Sequence, residues 1–459
     1  MRQTVSAQIQ PTAFQMTYLE FLQELSQHPV VYLVLLVVTV WAYLFLLRKR
    51  IYSISDPLFF AALYSALAAT AVWYMCWRNL IETTYVLQFA ATEVAFIFGI
   101  LVFPCFNGQG SASTSVYRNN KPFFSLLYIV SSGMFVIAQI AVYSIRGIPI
   151  FYASRLQYYA EGGGLGIFDR ILSVSSFFCW YLIIYRFAYR IKIKFWPRLL
   201  DHAVLWALVF SAVLSGSKST FLTVVFVIFY FRLLHRQDPD CAIEFRDELA
   251  KWQKRIIIAA CFAFVSVMAF EVHSSSYTLL VIETSQRLSA FGDTFFMAFP
   301  THLVESLSGK HPLLAIFGGV LVMFRLVSPA DLPENVGFQL YRGVYGFDAF
   351  VGPNPRHNLM GLVYFGIVGS IFYSLTLGLL VGFLRNVVIR WMKPGNTIEP
   401  LFAFLAVSCV SVSTDIAIFM KDVSSALMVV PVMYLLAFIL DLALAQPVAL
   451  RPNAATFLP

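Results

Sequence analysis

The sequence predicts an all-α polytopic membrane protein, a single integral membrane domain over residues 1–459 with about 11 transmembrane helices (range 10–14). Two observations carry this. Of the residues, 59% are hydrophobic and only 12% charged, a balance foreign to soluble globular domains. Apolar runs near the length needed to cross a bilayer, about 20 residues, recur from end to end. In lipid the backbone must satisfy its own hydrogen bonds, so such runs are helices and not isolated strands.

Spans are expected near residues 30–47, 56–77, 83–104, 123–144, 170–187, 199–215, 219–234, 255–272, 359–384, 399–418 and 423–442. Residues 12–26 are expected to form a surface helix ahead of the first span. The stretch 312–327 is apolar but short, and fits a re-entrant or interfacial segment.

Lysine and arginine placement orients the bundle. Arg48, Lys49 and Arg50 follow span one, and Arg186, Arg190, Lys192, Lys194 and Arg198 follow span five. Arg232, Arg236, Arg246, Lys251, Lys254 and Arg255 follow span seven, and Arg385, Arg390 and Lys393 follow span nine. All fall on one side, which is taken as cytoplasmic. Two long segments are then outer: residues 145–169, and residues 273–358, the latter long enough for helices of its own.

The net charge of +8 does not imply a nucleic-acid partner, because the basic residues are dispersed among short inter-span loops. The six cysteines show neither a disulfide framework nor zinc-ligand spacing. No cleavable signal-peptide pattern is visible, so the first span is expected to act as the insertion signal.

Chemistry-bearing residues gather in the outer segments. In Ser154–Arg170, "SRLQYYAEGGGLGIFDR", three consecutive glycines at 162–164 and Gly166 let backbone amides approach an anion. Arg155, Arg170, Glu161 and Asp169 flank them. The stretch is either a phosphate or pyrophosphate clamp or an interfacial loop that anchors span ends. "SGSKST", Ser215–Thr220, sets Lys218 among small hydroxyl residues between spans six and seven. It suits phosphate oxygens, or is a turn with one snorkelling lysine.

The larger outer segment carries Arg342, Asp348, Arg356 and His357, with glycines and aromatics between them. Asn354 and Pro355 are expected to cap a helix and open its first turn, placing Arg356 and His357 at a helix start on the outer surface. The helix dipole and the adjacent arginine both disfavour an imidazolium there, so His357 is expected neutral, as a general base must be. The bland alternative is an interfacial histidine bonded to the loop. Within spans, Glu93, Asp201, His202 and Asp415 are the ionisable groups to explain.

Taken together, the arginine–glycine loop, the small-residue turn with one cation and a helix opening with His-Asn resemble the bacterial O-antigen (Wzy-type) polymerases and the related O-antigen ligases. Arg155 and Gly166 fit the polymerase arginine-to-glycine spacing. Arg342 does not, since Gly352 comes one residue early. Ser217-Lys218-Ser219 matches the small-residue turn, with lysine where arginine is usual. His357, Asn358, Gly366 and Gly369 resemble the ligase pattern, with a spacer two residues shorter.

The resemblance implies a GT-C-like glycosyltransferase with no cofactor and no metal. Its substrates would be undecaprenyl-diphosphate-linked glycans in the membrane lipid, and a chain-length regulator protein is a candidate partner. Arg155, Lys218, Arg342 and Arg356 would bind diphosphates. His357 would take a proton or orient the acceptor, with Glu161 and Asp348 as reserve bases. The competing classes are an O-antigen ligase, a polysaccharide transporter and a non-catalytic scaffold subunit. A transporter would be expected to show internal repeats and broken spans with ionisable groups at the midplane.

Overall fold

The computed structural model describes residues 16–105, 114–151, 166–189, 195–215, 218–236, 249, 251, 255, 258, 289–347, 352–391 and 395–445. Every regular element among them is helical. In chain order the α-helices are α1 (Tyr18–Gln27), α2 (Pro29–Leu47), α3 (Pro57–Trp77), α4 (Thr83–Val102), α5 (Thr114–Arg146), α6 (Gly166–Ala188), α7 (Phe195–Leu214) and α8 (Lys218–Leu234). There follow α9 (Asp293–Ala298), α10 (Leu303–Ser306), α11 (Pro312–Met323), α12 (Val336–Tyr345), α13 (Arg356–Gly382), α14 (Ile389–Trp391), α15 (Glu399–Ser408) and α16 (Ile416–Ala445).

Seven helical stretches among the described residues are long and apolar enough to cross a membrane: α2, α3, α4, residues 122–146 of α5, α6, Arg356–Val388 and residues 416–444 of α16. The expected spans 199–215, 219–234 and 399–418 correspond to shorter apolar helices, and 255–272, apart from residues 255 and 258, lies outside the described residues. The expected 399–418 span ends early. The chain leaves α-geometry at Cys409–Ser413, and Asp415 then caps α16 by accepting from the Ala417 amide at 2.8 Å. A short polar side chain ahead of an apolar run is the ordinary helix-start device.

Local sequence explains the other starts. Asp56 accepts from the Leu58 amide at 2.8 Å and Pro57 fills the first turn of α3. Thr17 and Glu20 form a reciprocal capping box on α1. The surface helix expected over 12–26 is corrected in one respect. Phe21 is fully buried, stacked 4.4 Å from Phe296, so α1 is docked into the fold by its apolar face.

The interior forms two apolar clusters, one built from α5, α6, α8, α15 and α16, the other from α1–α4, α9 and α13. Glycines let α4 and α13 meet backbone to backbone. A Cβ on Gly378 would lie 2.1 Å from the Phe96 carbonyl oxygen, the close approach that small residues allow between membrane helices. Val30, Leu33, Val37 and Trp41 of α2 face outward, as lipid contact requires.

The basic clusters after α2 and α13 share one end of the bundle. Arg50 donates to the Cys105 sulfur at 2.9 Å, and Arg390 donates to the Cys105 carbonyl at 2.9 Å. Arg385 makes a bidentate pair with Asp56 at 2.7 and 2.8 Å, both side chains buried. The opposite end carries the Arg78–Glu24 pair and the Tyr85, His302 and Glu305 contacts, from the start of α4 and the short helices α9–α12.

Candidate functional site

The stretch from Arg356 to Val388 is not one rod. Gly366 has φ 69° and ψ −174°, a conformation that only glycine enters readily. The chain reverses there. His357 Nδ1 lies 3.0 Å from Ser374 Oγ, and the Phe365 and Tyr373 rings are 5.2 Å apart. Gln88 of α4 clips both arms, its Nε2 donating to the Asn358 carbonyl at 3.1 Å and to Ser370 Oγ at 3.0 Å. The expected single span over 359–384 is therefore corrected to a ten-residue arm, 356–365, folded back on the spanning helix that follows.

The arm starts inside the bundle. Arg356 is 4% exposed. Its guanidinium donates to the carbonyls of Tyr64 at 2.9 Å and Phe291 at 3.3 Å, and to Ser65 Oγ at 3.5 Å. Tyr64 and Ser65 lie near the middle of α3. The outer-surface position expected for Arg356 and His357 is thus corrected to the bundle interior. The cap is corrected as well: Pro355, not Asn354, holds the N-cap position and makes no side-chain bond. The start is fixed instead by tertiary contact, with the Arg356 amide donating to the Thr414 carbonyl at 2.9 Å.

Around His357 a polar network crosses three segments. The imidazole stacks on Phe96 at 4.4 Å and turns Nε2 toward Glu93 Oε1 at 3.6 Å. Asn358 Nδ2 donates to Thr92 Oγ1 at 2.9 Å and to Glu93 Oε1 at 3.2 Å. His357 Nε2, Asn358 Oδ1 and Gln88 Oε1 are buried with no hydrogen-bond partner among the described residues. Buried polar atoms left open in this way are costly, and their clustering on one network marks it as the chemically loaded part of the interior. A cavity of about 10 Å³ beside Glu93, also lined by Tyr43, Ser65 and Ser413, has room for nothing beyond a water-sized species.

The other expected site residues are distributed differently. Arg342, on α12, is 47% exposed and pairs with Glu334 at 2.6 Å. It faces outward where Arg356 is enclosed, so the two do not share a pocket. Lys218 begins α8; its side chain, together with Arg155, Glu161 and Asp348, lies outside the described residues. No group of three or more His, Cys, Asp or Glu suited to a metal ion occurs among the described residues.

The intramembrane ionisable groups divide by role. Asp201 pairs with Arg186 at 3.1 Å, the guanidinium lying 4.8 Å over the Tyr128 ring, and Asp415 is a helix cap. These are structural. Glu93 belongs to the His357 network, as does Ser374, which sequence reasoning missed. So were Asp56–Arg385 and the buried contact of His235 with Glu399 at 2.5 Å. The Asp-Pro at 56–57 signalled a helix start, but nothing local names a partner 329 residues away.

No family model matches the chain, and no curated protein or solved structure matches it.

Proposed function

We propose that this chain is a metal-independent, lipid-diphosphate-dependent glycosyltransferase of about 11 spans in a GT-C-like bundle. It would polymerise undecaprenyl-diphosphate-linked repeat units at the outer face of a bacterial inner membrane. The observation that supports this best is that the four residues of the ligase-like part of the resemblance form one structural unit. His357 and Asn358 open the arm, while Gly366 makes the reversal and Gly369 packs against Phe365 beside it. The pair is thereby set against Glu93 and Ser374. The chemistry asked of it is modest. An acceptor sugar hydroxyl loses its proton to a base and attacks the anomeric carbon, while the lipid diphosphate departs with the bonding electrons, its charge met by cations.

Purified protein incubated with a lipid-diphosphate repeat unit should give a ladder of lipid-linked oligomers. Transfer to lipid A–core without a free ladder would favour the ligase. A second reading, transport, draws support from the broken span with its buried Arg356 and His357 and from Glu93 of α4 beside them, features common in transporters. Recovery of unlinked repeat units alone, with label crossing a sealed vesicle, would replace the polymerase reading by this one.

A further inference from the structure

A second set of groups lies at the end of the bundle where α6 begins. Arg170, one turn into α6, donates from Nη1 to Ser424 Oγ of α16 at 2.5 Å and has no carboxylate partner among the described residues. Its neighbours behave otherwise: Arg146 at the end of α5 is neutralised by Asp169 at 2.9 Å. On α16, Ser424 and Ser425 both donate to the carbonyl of Lys421, at 2.8 and 2.7 Å, so the lysine is set one turn before the serine that holds Arg170. Lys421 is exposed, and the neighbouring Asp422 carboxyl bonds to Ser408 and is also drawn by the Lys421 charge. Arg170 and Ser424, drawn from segments about 250 residues apart in sequence, therefore meet at one helix–helix seam, with Lys421 one helical turn before Ser424 and no carboxylate on Arg170 among the described residues.

Resting on the glycosyltransferase reading, we propose that Arg170 and Lys421, with Ser424, form a binding site for the diphosphate of an isoprenyl-linked substrate. The guanidinium has donors in a planar fork beyond the one spent on Ser424, the geometry that matches phosphate oxygens, and the ammonium adds a point charge beside it. Arg356 cannot serve this anion in the state described, because it is enclosed in the bundle and held there by Tyr64, Phe291 and Ser65. Arg170 also sits four residues after Gly166 of the glycine-rich stretch, so the seam adds α16 to a region whose sequence already suits an anion.

The test uses the full-length protein in neutral nanodiscs, with farnesyl diphosphate as probe and binding read by native mass spectrometry. Wild type should bind it. Arg170→Gln and Lys421→Gln should each weaken binding several-fold, and the double variant at least tenfold, with thermal melts near wild type. Farnesyl monophosphate should bind more weakly. No binding by wild type would overturn both the site and the lipid-diphosphate reading. Equal binding by wild type and a folded double variant would overturn the site alone. Displacement by phosphatidylglycerol at concentrations comparable to the probe would also overturn it, by reducing the pair to an anchor for ordinary anionic headgroups. Should the double variant fail to fold, Arg170→Lys decides instead. Unchanged binding there would rule out the planar fork as the recognising group.

Discussion

His357 Nδ1 and Ser374 Oγ lie 3.0 Å apart although 17 residues separate them. A continuous helix would hold them about 25 Å apart at 1.5 Å per residue. The reversal at Gly366 thus brings a histidine and a serine from opposite ends of an apolar run against the middle of α4. Gly361→Val should lower the melting temperature, because a Cβ at 361 would fall 2.9 Å from that of Ser370 across the turn; an unchanged melt would argue for a straight span. Gly366→Ala should lower stability by about 1–3 kcal/mol through backbone strain alone, seen as an earlier thermal transition.

The Asp56–Arg385 pair predicts asymmetric mutant effects. Asp56→Asn keeps a capping oxygen for α3 but leaves a buried guanidinium without its counter-charge, so a loss of about 3–5 kcal/mol is expected. Asp56→Leu combined with Arg385→Met removes both charges and should cost less than the sum of the single changes. A double-mutant cycle on melting in nanodiscs measures this. Strict additivity would mean the two side chains do not interact.

Asp293 gives a pH dependence whose sign follows from its surroundings. Burial is the largest cause, and it lifts the carboxyl from 3.8 to about 6 despite the Tyr18 hydroxyl and the Thr294 amide that bond to it. A carboxyl raised in the folded state favours folding most when protonated. Its contribution is complete below about pH 4 and is lost as pH rises through about 6. Asp293→Asn should flatten the fall in melting temperature across that window and stabilise the protein near neutrality. The same slope in wild type and variant would show that another group is responsible.

Two arginines from one motif-rich segment should respond differently. Arg342 is half exposed and pairs with Glu334 at the surface, so Arg342→Ala should cost under about 1 kcal/mol of stability. If Arg342 meets a diphosphate, that variant should nevertheless lose long glycan chains in cells lacking their own polymerase. Arg356→Ala should instead reduce folded yield, since three acceptors lose their donor. Normal chain-length ladders from a combined Arg155→Ala/Arg342→Ala protein would end the assignment of these two residues. Retained polymerisation by His357→Ala would leave the histidine a purely architectural role.

By itself the sequence determined the solvent and the secondary structure. Apolar runs of span length have no low-energy option in lipid other than the helix, and Asp56-Pro57 and Thr17-x-x-Glu20 mark where helices begin, because caps act over three or four residues. It also singled out Arg356, His357 and Asn358 as residues needing an explanation. Tertiary structure decided where they lie. A periodic apolar pattern is the same for a straight span and for a hairpin, and Gly366 is one of 24 glycines with nothing local to distinguish its positive φ. The partners of His357, Asp56 and Arg170 come from hundreds of residues away or across the turn. Long-range pairings of this kind are set by which helix faces meet, and only packing fixes that.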